Sequence, residues 1–176
     1  MTDNPTSHQD RLRNILKAGG NANGTGGSDG ENDDEACCPA FGFLRGIREA
    51  SASVEFRLKA GNSLWFPYGW LGPWQFNPSE GLLLKFSGDV VYLVLIRGSN
   101  LDKPLPDGAI NLTHAGLQRH RVLWIREMSR EEIERVGETG PTIDSIEIEE
   151  FASQDALQAW LKTHAPAFAR AEKRGE

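Results

Sequence analysis

The sequence predicts an α+β fold, rich in β-structure, centred on a small, strongly bent five-stranded barrel with helices at its flanks. Three observations carry this expectation. Between residues 54 and 128, five segments alternate apolar with polar residues or form short apolar runs, the signature of strands. Gly, Asn, Asp and Pro clusters separate these segments at short intervals, which favours tight hairpins over helical crossovers. After residue 128 the pattern changes to capped, helix-period segments on either side of one further strand.

In order along the chain, Gln9 to Ala18 has Leu12, Ile15 and Leu16 on one side and predicts a short helix that is either a frayed tail or a docking peptide that folds on a partner. The tract GGNANGTGGSDGENDDE over 19–35 has too little apolar surface to offset the entropy of ordering it. Residues 1–35 therefore read as a disordered arm with an acidic linker. PAFGFLRGIREAS over 39–51 predicts an amphipathic helix using Phe43, Leu44 and Ile47.

Val54, Phe56 and Leu58 alternate with Glu55, Arg57 and Lys59, and turn residues Ala60, Gly61 and Asn62 lead into 63–68, so 54–68 reads as a hairpin. The run WFPYGWLGPWQF holds six aromatic residues but is broken by Pro67, Gly69, Gly72 and Pro73, which excludes one continuous central strand. Leu82, Leu84 and Phe86 begin a second hairpin that turns at Ser87, Gly88 and Asp89 into VVYLVLI. That strand is apolar on both faces, so it is either buried on both sides or has one face covered by another subunit. A long loop follows Gly98, and 118–128 supplies the fifth strand, with Val122, Trp124 and Arg126 opposite Leu123 and Ile125. Ser129 and Glu132 have capping-box spacing and open a helix to about Val136. Ile143 to Phe151 reads as an edge strand with Ile146 and Ile148 inward, and Ser153 caps a final helix. Residues 36–128 thus form the barrel domain, and 129–176 form a helix-strand-helix extension packed on it.

Charge and composition narrow the function classes. The 176 residues carry a net charge of −6, split as −4 over 1–35, +3 over 36–128 and −5 over 129–176, which argues against indiscriminate polyanion binding. The longest apolar run, Val90 to Ile96, falls far short of the roughly 20 residues of a membrane-spanning helix. The polar N-terminus lacks a secretory signal, so a cytoplasmic location and no membrane partner are expected. The only cysteines, Cys37 and Cys38, are adjacent, and the four histidines are scattered, so neither a disulfide framework nor a zinc site is expected. Asp29 to Glu35 lacks the glycine and closing glutamate of a calcium loop.

Two stretches carry a family likeness. VEFRLKAGNSLWFPYGWLGPWQFNPSEGLLLKF resembles the first motif of the Sm and Sm-like proteins, and VVYLVLIRGSNL resembles the second, with Ile96, Arg97, Gly98 and Leu101 at its hallmark positions. The resemblance spans 39–101. It implies an N-terminal helix and an Sm-like, or more broadly SH3-like, barrel that forms rings and binds single-stranded RNA. Arg97 then matches the second motif's arginine, and Phe76 with Asn77 matches the first motif's aromatic and acid. The family's base-reading asparagine falls on Gly81, and the loop after Gly98 is longer than the family's.

The candidate binding residues are therefore Arg97, Trp65, Tyr68, Trp70, Trp74 and Asn77. Trp and Tyr beside Gly and Pro either stack on unpaired bases, line a peptide groove or pack in the barrel wall. Arg97 either sits at the rim or pairs with a carboxylate such as Asp89 or Asp102. Arg119, His120 and Arg121 either contact phosphates or form a solvated strand start. No catalytic motif is present, although His114 or His120 could pair with Asp107 or Glu127 as acid and base. The sequence thus points to a non-catalytic binding or adaptor module that needs no cofactor or metal. Its expected partner is a protein or a second copy docked on 90–96. The alternatives are an Sm-like single-stranded RNA binder and, third, a hydrolase with an unrecognised site.

Overall fold

The described residues are rich in strands, as expected, but these pair into two sheets. The computed structural model describes residues 34–106, 108 and 110–169, which fall within the unit Asn32–Glu176. The expected helix at Gln9–Ala18 and the linker up to residue 33 lie outside the described residues. The strands are β1 (Glu35–Cys37), β2 (Phe41–Leu44), β3 (Ser53–Arg57), β4 (Ser63–Pro67), β5 (Gln75–Asn77), β6 (Gly81–Ser87), β7 (Val91–Ser99), β8 (Val122–Arg126) and β9 (Thr142–Phe151). Two α-helices, α1 (Arg130–Val136) and α2 (Gln154–His164), flank β9. None of the described helices is long and apolar enough to cross a membrane.

The first sheet has the order β1-β2-β8-β3-β4 and the second β5-β6-β7-β9. No single sheet closes on itself, which corrects the five-stranded barrel expected from the sequence. The reason is long-range pairing. The fifth expected strand, β8, inserts parallel to β3 and antiparallel to β2, while β9 pairs with β7 over nearly its whole length. The expected C-terminal strand is thus a full member of the second sheet.

The sequence also predicts a helix over 39–51, and the structure replaces it with β2 followed by a turn in which Glu49 N–H donates to Gly46 C=O. Phe41 and Phe43 are buried, and Gly42 between them lies opposite Trp124, so the segment reads as a strand once β8 is beside it. Glu35, assigned to the linker, begins β1.

The inner faces of the two sheets meet in the main core. Val54, Phe56 and Phe66 from the first pack on Leu82, Leu84, Phe86, Val94 and Ile96 from the second. The Phe66 and Phe86 rings stack at 4.7 Å, and Phe56 meets both edge-on. Burying one such ring contributes about 1.5–3 kcal/mol, so this aromatic knot holds the sheets together. The long loop after β7 also enters the core, through Leu101, Leu105, Ile110 and Leu112.

The two-sided strand β7 is buried by its own chain. Leu93 and Leu95 on its second face, with Leu83 and Phe151, are covered by Leu157 and Leu161 of α2 and by Phe168. The surface expected to receive another subunit is therefore occupied by α2. Glu127 adds a polar tie: its carboxylate accepts from Lys59 N–H (2.6 Å) beside the first sheet and from Ile146 N–H (2.8 Å) of β9.

Candidate functional site: the open face of the first sheet

With α2 over the second sheet and the core between the two, the outward face of the first sheet is left without a covering layer among the described residues. A single cross-strand row runs over it. Cys37 lies opposite Gly42, Gly42 opposite Trp124, Trp124 opposite Glu55, and Glu55 opposite Trp65. Period-two alternation puts these residues on one side, because Val54, Phe56 and Phe66 point into the core.

Each member has a physical reason to be where it is. Gly42 has no side chain, and a Cβ there would overlap the Trp124 indole nitrogen, so the ring lies flat across β2. Arg57 sits over the Trp124 ring with its guanidinium carbon 4.5 Å from the centroid, a cation–π contact. Its Nε donates to Glu55 at 2.8 Å, and its Nη2 is 2.7 Å from the same oxygen. That hydrogen bond holds the Glu55 carboxyl below its ordinary value, outweighing burial, and the Ser63 hydroxyl helps. Trp65 projects from β4 with 62% of its surface exposed, the largest exposure of any described tryptophan.

No protein-family model, curated protein or solved structure matches this chain. The functional reading therefore rests on the geometry of the face itself.

Its electrostatics are balanced. Arg57 is opposite Arg126 in the β3–β8 register, and each arginine has its own carboxylate. Arg126 reaches Glu132 at 2.6 and 3.3 Å, while Glu132 also accepts from Ser129 N–H at 2.8 Å in the expected capping box. The Arg126 hydrogen bond, followed by that of Ser129, lowers the Glu132 carboxyl from 4.5 to about 2. A lowered folded-state value gives stability that is present above the unfolded value and is lost as pH falls from 4.5 toward about 2. A carboxyl-carbon NMR titration should place the Glu132 midpoint near 2, and Arg126→Ala should raise it part of the way toward the ordinary value, with the Ser129 hydrogen bond still holding it down.

The six residues singled out from the sequence do not converge. Trp65 is on the open face. Tyr68 is only 3% exposed; its hydroxyl donates to Val122 C=O at 2.9 Å, its ring stacks on His120 at 4.4 Å, and burial pushes its phenol up. Trp70 is 40% exposed and lies against Gly88 of the β6–β7 turn. Trp74 is half-buried, with its ring 6.3 Å from that of His114. Asn77 accepts from Ser79 N–H at 2.9 Å, closing a local turn. Arg97 pairs with Glu147 across β7 and β9, not with Asp89 or Asp102, and donates to His164 C=O at 2.7 Å. It fastens α2 to the second sheet.

The basic cluster resolves in the same way. Arg121 is 4% exposed and donates three hydrogen bonds to Leu44 and Arg45 carbonyls, so it is a buried brace unavailable to phosphate. His120 is left-handed (φ 54°) and ends the expected fifth strand's first residues, which form a 3-10 turn instead. His114 contacts Gln118, and Glu127 is engaged by backbone N–H groups, so neither histidine is paired with that acid; Asp107 lies outside the described residues. Among the described residues no group of His, Cys, Asp and Glu could hold a metal ion. The residue that sequence reasoning missed is Trp124. Its alternation was visible, but its place on the same face as Trp65, across Glu55, depends on β8 inserting between β2 and β3.

Proposed function

We propose that this chain is a non-catalytic binding module that holds a short, uncharged segment of a partner protein against Trp65, on the sheet face it shares with Trp124. The observation that carries this reading is the 62% exposure of Trp65 on an uncovered sheet face whose arginines are already neutralised. Two indoles on one face, separated by strand β3, offer rigid apolar surface with polar edges, the chemistry that anchors protein interfaces. A nucleic-acid backbone would have to displace Glu55 and Glu132 before gaining Arg57 and Arg126. Phosphate recognition is therefore the weaker use of this face, although an indole beside a guanidinium can also stack on a base.

The test is an affinity selection from a random peptide library on the purified full chain, counter-selected on Trp65→Ala, with oligouridylate as a parallel probe. Enrichment of peptides with few charges that need Trp65 supports the reading. Oligouridylate binding that weakens steeply with salt, with no enriched peptide, overturns it in favour of RNA.

A further inference from the structure

The two sheets present four strand edges, and three are blunted. Strands β1 and β5 are three residues long. On β9, Glu127 takes the Ile146 N–H, Met128 N–H donates to Ile143 C=O, and Lys59 Nζ donates to Asp144 C=O, while Glu147, Glu149 and Glu150 make the remainder acidic. Charges and side-chain caps of this kind are how sheets avoid unwanted pairing. Strand β4 has neither: its five residues, Ser-Leu-Trp-Phe-Pro, carry no charge, and among the described strands it is bonded only to β3.

The phase of the ladder fixes what this edge offers. Leu58 N–H donates to Asn62 C=O and Tyr68 N–H to Ala52 C=O, both at 2.9 Å, at the two ends of the β3–β4 pairing. Alternate residues between them bond in the same way, so Leu64 and Phe66 turn their backbone groups toward β3. Ser63 and Trp65 turn N–H and C=O outward, and Pro67 turns out only a C=O. The outward edge therefore repeats donor and acceptor at strand spacing, directly beneath the exposed Trp65 side chain.

We infer that a partner binds by adding an extended segment to the free edge of β4, pairing with Ser63 and Trp65 and laying an uncharged side chain against the Trp65 indole. This rests on the binding-module reading and names the partner's conformation. A segment from another protein fits better than a second copy of β4. In an antiparallel β4–β4 pair centred on Trp65, each Ser63 C=O would face a Pro67 that has no N–H, leaving an unpaired acceptor at both ends. A separate segment can end its pairing before Pro67.

The experiment uses the strongest peptide from the selection, its two versions N-methylated at alternate amides, and hydrogen exchange of the full chain followed by NMR. Addition to the edge predicts that the Ser63 and Trp65 amides exchange fast alone and slow once the peptide is bound, while Leu64 and Phe66 are slow in both states. One N-methylated series should lose about tenfold or more in affinity, and the other should bind unchanged. Trp65-dependent binding with neither effect overturns strand addition and leaves the binding module standing. Protection of Ser63 and Trp65 that instead tracks dimer formation by light scattering, without peptide, overturns the choice of partner. Absence of any enriched peptide overturns both readings.

Discussion

Gly81→Asn is expected to destabilise this protein strongly. Gly81 sits at φ 114°, where residues with a side chain are strained, and a Cβ there would overlap the carbonyl oxygen of Ile96 on the paired strand. Both neighbouring groups are backbone inside the β6–β7 ladder, so neither can swing aside. Left-handed strain and overpacking together should cost about 3–5 kcal/mol, lowering Tm by about 10 °C or more for a chain of this size. Gly61→Ala is the matched control. Gly61 also has a positive φ (90°), but it lies in the β3–β4 turn with no atom near its absent Cβ, so only the conformational cost remains. That should be about 1 kcal/mol. Equal thermal shifts for the two variants would contradict the close approach assigned to Gly81.

The second large effect is expected at Arg121. Its guanidinium satisfies the carbonyls of Leu44 and Arg45, where β2 gives way to the turn that leads to β3. Arg121→Ala leaves these acceptors without their charged donor and opens a gap beside Val122. The loss should be about 2–4 kcal/mol by denaturant titration. Lysine keeps the charge but cannot fork to two carbonyls, so Arg121→Lys should fall between wild type and alanine. An alanine variant as stable as wild type would mean that the carbonyls are satisfied by water and that Arg121 is not a brace.

How much of this was legible in the sequence follows from the range of each interaction. The hairpins β3–β4 and β6–β7 were legible because alternation and turn residues are local, as were both helix caps at Ser129 and Ser153. The barrel was not, because alternation says which residues face a core but not which strand lies alongside. Only pairing of β8 with β2 and β3, and of β9 with β7, decides for two sheets. The same limit explains 39–51: Phe-Gly-Phe scores poorly as a lone strand, and its glycine makes sense only beneath Trp124. At the site, Gly and Pro neighbours place four aromatic residues on loops, where they either bind a partner or pack in the core. Trp65 lies within strand β4 and projects outward, whereas Tyr68 turns inward to a carbonyl that its hydroxyl can reach, and Trp74 packs partly under the surface. Arg97, expected at a rim or in an ion pair, found its carboxylate on β9, a strand 50 residues away.

The most direct test of the binding face is a fluorescence titration of the selected peptide into wild type, Trp65→Ala and Trp70→Ala, with thermal melts of all three. Trp65 is exposed, so its removal should leave Tm nearly unchanged while weakening binding by about tenfold or more. Trp70, laid against the Gly88 turn of the other sheet, serves as the control and should bind the peptide like wild type. Equal affinity of Trp65→Ala and wild type, or loss confined to Trp70→Ala, would contradict the open face of the first sheet as the site.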